Sequence, residues 1–191
     1  MKTTRSFIAI ALNRQLHKEL AQLQDKLRTA NADVKWVKPE NIHITLKFLG
    51  NITDEQIEQV KNSLKSATSG IQPYSIHLAQ IGAFPKISYA RVIWVGMDEG
   101  AEETKKIYQA IEEELSKNAF AKEKRSFSPH LTLGRVRSGK NKQGLINVVK
   151  KEKDFSATSK ISVEEIVLFK STLSSAGPAY EPMFKGNLVK T

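Results

Sequence analysis

Two tetrapeptides in this 191-residue chain carry the same polar pair at the same spacing. His43-Ile44-Thr45-Leu46 lies within NIHITLKFLG, and His130-Leu131-Thr132-Leu133 lies within FSPHLTLGRV, 87 positions further on. By ordinary usage a His has a Thr two places later in about one case in twenty, and a Leu after that in about one in ten. With only four histidines in the chain, chance does not account for the double occurrence. In a strand, side chains at i and i+2 share a face. Each motif therefore presents an imidazole and a hydroxyl on one side and seals a core with aliphatic groups on the other: Ile44, Leu46 and Phe48 in the first, Leu131 and Leu133 in the second. If the two polar faces meet, two imidazoles flank one volume lined by two hydroxyls. That set suits displacement at phosphorus, which needs a base beside the entering oxygen and an acid beside the leaving one. Histidine titrates near 6.5, so one copy can be neutral while the other is protonated. Threonine hydroxyls can donate to the non-bridging oxygens, where charge accumulates.

A single His on a half-buried strand is more often a hydrogen-bonded structural residue. His17 on a helix and His77 in a strand have no duplicates and are read that way. Lys47 shares the face of His43 and Thr45 by alternation, and reaches either phosphate or solvent. Arg135 lies five residues after His130, so strict alternation turns it away from the cleft. A bulge at Gly134 would re-aim it to phosphate, and the alternative is a salt bridge at the strand edge. Trp36 and Phe84 either stack a base or are ordinary buried aromatics.

The elements that position these residues follow from periodicity. Arg5–Leu12 reads as a strand, and Arg14–Ala30 as an amphipathic helix with Leu16, Leu20, Leu23 and Leu27 on one stripe. Val34–Val37 is a short extended piece stopped by Pro39, and Asn41–Leu49 is a strand ended by Gly50. Thr53-Asp54-Glu55-Gln56 fits a capping box that opens a helix with Ile57, Val60 and Leu64 inward. Tyr74–Ile81 is a strand. The second half repeats the order: strand Ala90–Met97, helix Ala101–Asn118, strand Pro129–Val136, a helical or loop segment near Leu145–Lys150, and strand Ile161–Lys170. Ala179–Val189 is a candidate final strand. No Gly/Ser-rich linker divides the chain, so we expect one domain over 1–191 built of two pseudo-symmetric halves, about 1–86 and 87–191.

The composition is ordinary for a globular protein, with 40% hydrophobic and 26% charged residues. The sequence contains no Cys. That excludes a disulfide scaffold, a thiolate zinc site, an iron–sulfur cluster and a cysteine nucleophile. No His-x-x-x-His or acidic triad accompanies the paired histidines. The apolar run Phe7–Leu12 is too short for a signal peptide or a membrane span, so a cytoplasmic protein with no membrane partner is expected. The net charge is +10. Its excess concentrates between Lys117 and Asp154, around His130, and reads either as exposed loops or as an electrostatic funnel for phosphate backbones.

These residues resemble the 2H phosphoesterase superfamily, named for two His-x-Thr/Ser-x motifs, and within it the RNA 2′,3′-cyclic phosphodiesterases formerly described as 2′-5′ RNA ligases. Beyond the tetrapeptides, the resemblance covers RSFIAIAL, VKWVKPENIHITLKFLG, IGAFP with RVIWVGM, FSPHLTLGRV and VLFKSTLSSAGPAYEP. It implies a bilobal α+β fold: two antiparallel sheets with outer helices and a central active-site groove. It implies metal-independent hydrolysis, without a cofactor, of a 2′,3′-cyclic phosphate at an RNA 3′ end, leaving a 2′-phosphate. By motif, His43 would be the proton donor to the departing 3′ oxygen and His130 the acceptor that activates water; the pseudo-symmetric site by itself allows the reverse. Thr45 and Thr132 would hold the phosphate, and an Arg following the second motif in the family matches Arg135. The partner implied is RNA with a 2′,3′-cyclic phosphate terminus, with no obligate protein partner. Rival readings keep the groove and change its ligand or its chemistry. They are small cyclic nucleotides, an ADP-ribose cyclic phosphate, 2′-5′ oligonucleotides, or a non-catalytic RNA-end binder. A metallohydrolase is the weakest rival, since two His and two Thr make a poor ligand set.

Overall fold

Helix boundaries follow the local signals closely. The computed structural model describes residues 2–175 and 177–189. Strand β1 (Thr3–Ile10) leads into α1 (Arg14–Arg28), whose N-cap Asn13 accepts from the Leu16 amide at 2.8 Å and whose buried face carries the four expected leucines. After β2 (Val34–Trp36) and β3 (Ile44–Thr53), the expected capping box forms. Thr53 accepts from the Gln56 amide at 3.2 Å and Gln56 accepts from the Thr53 amide at 3.0 Å, opening α2 (Asp54–Thr68). Then come β4 (Tyr74–Phe84), β5 (Val92–Glu99), α3 (Ala101–Ser116), β6 (Leu131–Val136) and α4 (Lys142–Lys151).

The segment expected as one strand, Ile161–Lys170, divides at Glu164 into β7 (Ser156–Val163) and β8 (Glu165–Ser174), and the tail forms β9 (Gly177–Asn187). The division matters because the two pieces go to different places. Strand order is β7-β4-β5-β6-β3-β1-β8-β9, with β2 pairing β6 from the side, and every pair is antiparallel. One residue therefore carries the chain from one edge of this order to the other lobe. Two residues apart means at most about 7.6 Å between Cα atoms, so the sheet must curl until those parts are neighbours.

The fold is mixed α+β, and in place of the two expected sheets the described residues form one nine-stranded antiparallel sheet whose two strand groups are joined by one bridge. β7, β4, β5, β6 and β2 form one group, and β3, β1, β8 and β9 the other. Among the described residues, the only registered pair linking β3 to β6 is Ile44 with Leu131. Each half of the sequence supplies both groups: β4 leaves the first half for the β5–β6 sheet, while β8 and β9 return to β1. The helices are exchanged too. α1 lies against β7 and α4, and α2 lies against α3, β8 and β9. Burial of the aliphatic sheet faces and helix stripes supplies the main driving force for this arrangement. Among the described residues no helix is long and apolar enough to cross a membrane.

Candidate active site

The single bridge between the strand groups assembles the repeated motifs. Ile44 and Leu131 are both fully buried and directly paired in antiparallel register. Continuing that register by one residue each way sets His43 opposite Thr132 and Thr45 opposite His130. Opposed residues in an antiparallel pair share a face, and alternation turns all four away from the core that Ile44 and Leu131 fill. The four side chains that the sequence singled out are thus brought together at the seam, each half-buried.

Both imidazoles are held the same way. His43 Nδ1 lies 2.8 Å from the Asn41 carbonyl and His130 Nδ1 lies 2.7 Å from the Ser128 carbonyl, in each case two residues upstream. A carbonyl only accepts, so Nδ1 carries the hydrogen in both rings and Nε2 is the atom left to give or take a proton. Their walls differ. His43 stacks on Phe7 at 4.7 Å between ring centroids and meets Tyr180 edge-on at 5.3 Å. His130 meets Phe84 edge-on at 5.0 Å, and Phe84 in turn packs against Trp94. Burial pushes both imidazoles below the ordinary histidine range. For each, the backbone hydrogen bond opposes that push, and for His130 the Arg135 guanidinium adds a smaller push downward. The Trp94 ring lies so close over β4 that a Cβ on Gly82 would sit 2.1 Å from it, which only glycine permits.

Simple alternation fails just after each threonine, in the same manner. Ala9 pairs Thr45 but Ile8 pairs Lys47, leaving Leu46 as an extra residue; Trp94 pairs Thr132 but Ile93 pairs Gly134, leaving Leu133 extra. Each is a β-bulge, which reverses the facing of the residues beyond it. The first bulge takes Lys47 off the groove. Its ammonium makes a buried ion pair with Glu112 of α3 and donates to the Ala121 carbonyl at 2.8 Å, so it reaches neither phosphate nor solvent. The same bulge brings Phe48, expected on the core side, into the groove lining, 67% exposed. The second brings Arg135 to the corresponding place. The bulge expected at Gly134 falls one residue earlier. Gly134 itself is required because a Cβ there would come within 2.6 Å of Val34 and 2.9 Å of Trp36. Gln24, buried on α1, donates to the Leu133 carbonyl at 2.9 Å and to the Val37 carbonyl at 2.8 Å, fixing the bulged strand from below.

The groove has a volume of about 520 Å³. His43, Thr45, Thr132 and Arg135 line it; His130, two residues before Thr132 and just ahead of β6, stands at the seam opposite Thr45 and is not among the lining residues. Trp36 lines the groove, with the Arg28 guanidinium 5.2 Å from its ring centroid, whereas Phe84 backs His130. Among the described residues four cations face the groove: Arg5, Lys35, Lys38 and Arg135. Only Arg135 comes from the basic stretch Lys117–Asp154, because fold proximity and not sequence proximity decides which charges meet here. Sequence reasoning also missed Phe7, Phe48 and Tyr180 as groove residues. Tyr180 arrives from β9, and nothing local in its sequence marks it. Burial pushes its hydroxyl above the ordinary tyrosine range, opposed by the positive charges of Arg5 and Arg135.

The remaining histidines lie elsewhere. His17 contacts the Ile42 carbonyl at 3.2 Å. His77 contacts Asp98 at 2.6 Å and the Ala157 carbonyl at 2.8 Å, and these acceptors raise its pKa. Among the described residues no group of three or more His, Cys, Asp or Glu is placed to hold a metal ion.

Comparison with known proteins identifies the family and the fold. A model of the LigT-like phosphoesterase family matches the chain twice, over residues 10–94 and 95–180. A protein of Methanothermobacter thermautotrophicus named RNA 2′,3′-cyclic phosphodiesterase is 34% identical over 94% of this chain and 96% of its own length. One of the same name from Methanocaldococcus jannaschii is 38% identical over 93% and 96%. The crystal structure of Escherichia coli LigT complexed with 3′-AMP superposes with a TM-score of 0.78 at 20% identity, covering 99% of this chain and 100% of that one.

Proposed function

The chain belongs to the LigT-like phosphoesterases of the 2H superfamily, and from that premise we propose that it is a hydrolase opening the 2′,3′-cyclic phosphate at RNA 3′ ends to a 2′-phosphomonoester. The observation that carries the reading is the Ile44–Leu131 register, which sets one His-Thr pair against the other on a single face. The names of the relatives support the substrate class.

In the free protein both imidazoles, with lowered affinity for protons, are mainly neutral at pH 7. An anionic cyclic phosphate between them favours uptake of one proton, since a nearby negative charge stabilises imidazolium. His130 Nε2 accepts a proton from water as the water oxygen bonds to phosphorus. The bond from phosphorus to the 3′ oxygen breaks, and His43 Nε2–H gives that oxygen its proton. Thr45 and Thr132 donate to the non-bridging oxygens, and Arg135 offsets the charge that builds there. The buried site of His43 makes its imidazolium a readier proton donor than a solvated one. Because each Nδ1 is tied to a carbonyl, neither ring must reorient between turns of the cycle.

The test is to incubate the protein with an oligoribonucleotide ending in a 2′,3′-cyclic phosphate, with excess EDTA, and to identify the product. A 2′-phosphate formed at an undiminished rate is the expected result. Substrate that is bound but never opened would leave an RNA-end binder, and loss of activity to EDTA would exclude the metal-free route.

A further inference from the structure

A second pocket, about 290 Å³ in volume, opens beyond the end of β6, between the segment around Tyr89 and the start of α4. Tyr89 is half exposed. The Arg91 guanidinium lies 5.4 Å from its ring centroid and the Lys142 ammonium 5.1 Å, and Arg91 also donates to the Tyr89 hydroxyl at 3.4 Å. Arg137 completes the wall. Among the described residues none of these three cations forms an ion pair, so no carboxylate offsets the charge gathered around the ring. Like charges held around one ring repel. The negative face of the tyrosine offsets part of that cost, and a bound anion would remove the rest.

The pocket begins where the groove-lining part of β6 ends. Arg135 lines the groove, and the next two residues, Val136 and Arg137, line the pocket. Val136 donates to the Arg91 carbonyl at 2.9 Å, and Arg137 to the Asp33 carbonyl at 2.9 Å, so this part of the chain stays extended and firmly held. Residues two apart on an extended strand are spaced by about 7 Å. Alternation returns Arg137 to the side of Arg135, so a polyanion passing over Arg135 meets Arg137 at the rim of the pocket that Arg91 and Lys142 also line.

We propose that this pocket is a second phosphate subsite, which holds the sugar-phosphate backbone of single-stranded RNA upstream of the end being processed. The assignment of RNA as the polyanion rests on the function proposed above. The chemistry is that of single-strand tracks elsewhere: a line of cations beside an exposed aromatic, without base-specific donors. Tyr89 acts as the platform that keeps Arg91 and Lys142 together before the RNA arrives.

The test compares two triple variants of equal charge loss. One is Arg91→Gln/Arg137→Gln/Lys142→Gln. The other is Lys122→Gln/Lys124→Gln/Arg125→Gln, in the exposed basic loop before His130. Affinity for a fluorescein-labelled decameric RNA is measured by anisotropy across a salt series, with circular dichroism to check folding. The first variant is expected to bind at least about tenfold more weakly near 0.1 M salt, and its salt slope to flatten by about 0.7 for each phosphate no longer neutralised; the second is expected to stay close to the parent. Unchanged affinity in the first variant, or equal losses in both, would overturn the subsite. This measurement needs no hydrolysis, so failure of the parent protein to open a cyclic phosphate would count against the proposed function alone.

Discussion

The two catalytic candidates are chemically alike and environmentally different, and Arg135 makes part of the difference. Its positive charge disfavours protonation of His130, which burial already disfavours. A base must be neutral to work, so with His130 as base the rate falls as pH drops through its pKa, which lies below the usual 6.5. Replacing Arg135 with Gln removes the repulsion and raises that pKa. The acidic limb of the kcat/KM–pH profile is therefore expected to move to higher pH while the alkaline limb stays. Movement of the alkaline limb instead would make His130 the acid and reverse the assignment. That the two His-Thr motifs belong opposite one another was legible from their types and spacing alone. The character of each wall was not, because Phe7 and Tyr180 reach His43 through pairings with no local signature.

Among the elements, β3 and β6 carry the site, and their bulges limit what periodicity can reveal. The capping box at Thr53 and the leucine stripe of α1 are local devices, and both form where their residues point. A bulge depends on the partner strand, so strict alternation gave the wrong face for Lys47 and Phe48. Lys47 instead forms a buried pair with Glu112, and Glu112 also accepts from the Glu123 amide at 2.7 Å. The pair ties β3 to α3 and to the turn that leads toward His130. Removing one partner leaves an uncompensated charge at sites only 9% and 8% exposed. Lys47→Met or Glu112→Leu alone is expected to cost about 3–5 kcal/mol of unfolding free energy in urea. The double variant is expected to recover most of that loss; additive losses would show that the pairing is not what holds these elements.

At the scale of the whole molecule, the sequence halves and the sheet groups do not coincide. β4 crosses to one group, β8 and β9 cross back, α1 packs on β7 and α4, and α2 packs on β8 and β9. This exchange is why Ile161–Lys170, continuous in pattern, had to divide: the chain changes lobes at Glu164. We propose on these grounds that the pseudo-symmetric halves, about 1–86 and 87–191, fold as one unit. Trp36 and Trp94 both lie in the β7–β4–β5–β6–β2 group, so tryptophan fluorescence reports that group while far-ultraviolet circular dichroism reports both. Coincident denaturation curves are expected from the two probes, and separated midpoints would argue for independent lobes. The exchange brings one histidine from each half to the Ile44–Leu131 seam, and the most direct test is whether both are needed there. On RNA ending in a 2′,3′-cyclic phosphate, His43→Ala and His130→Ala are each expected to lower kcat/KM by about 10²–10⁴, and the double variant to fall little below the poorer single one, because the pair acts as a unit. Near-normal turnover in either single variant would contradict the paired-histidine site.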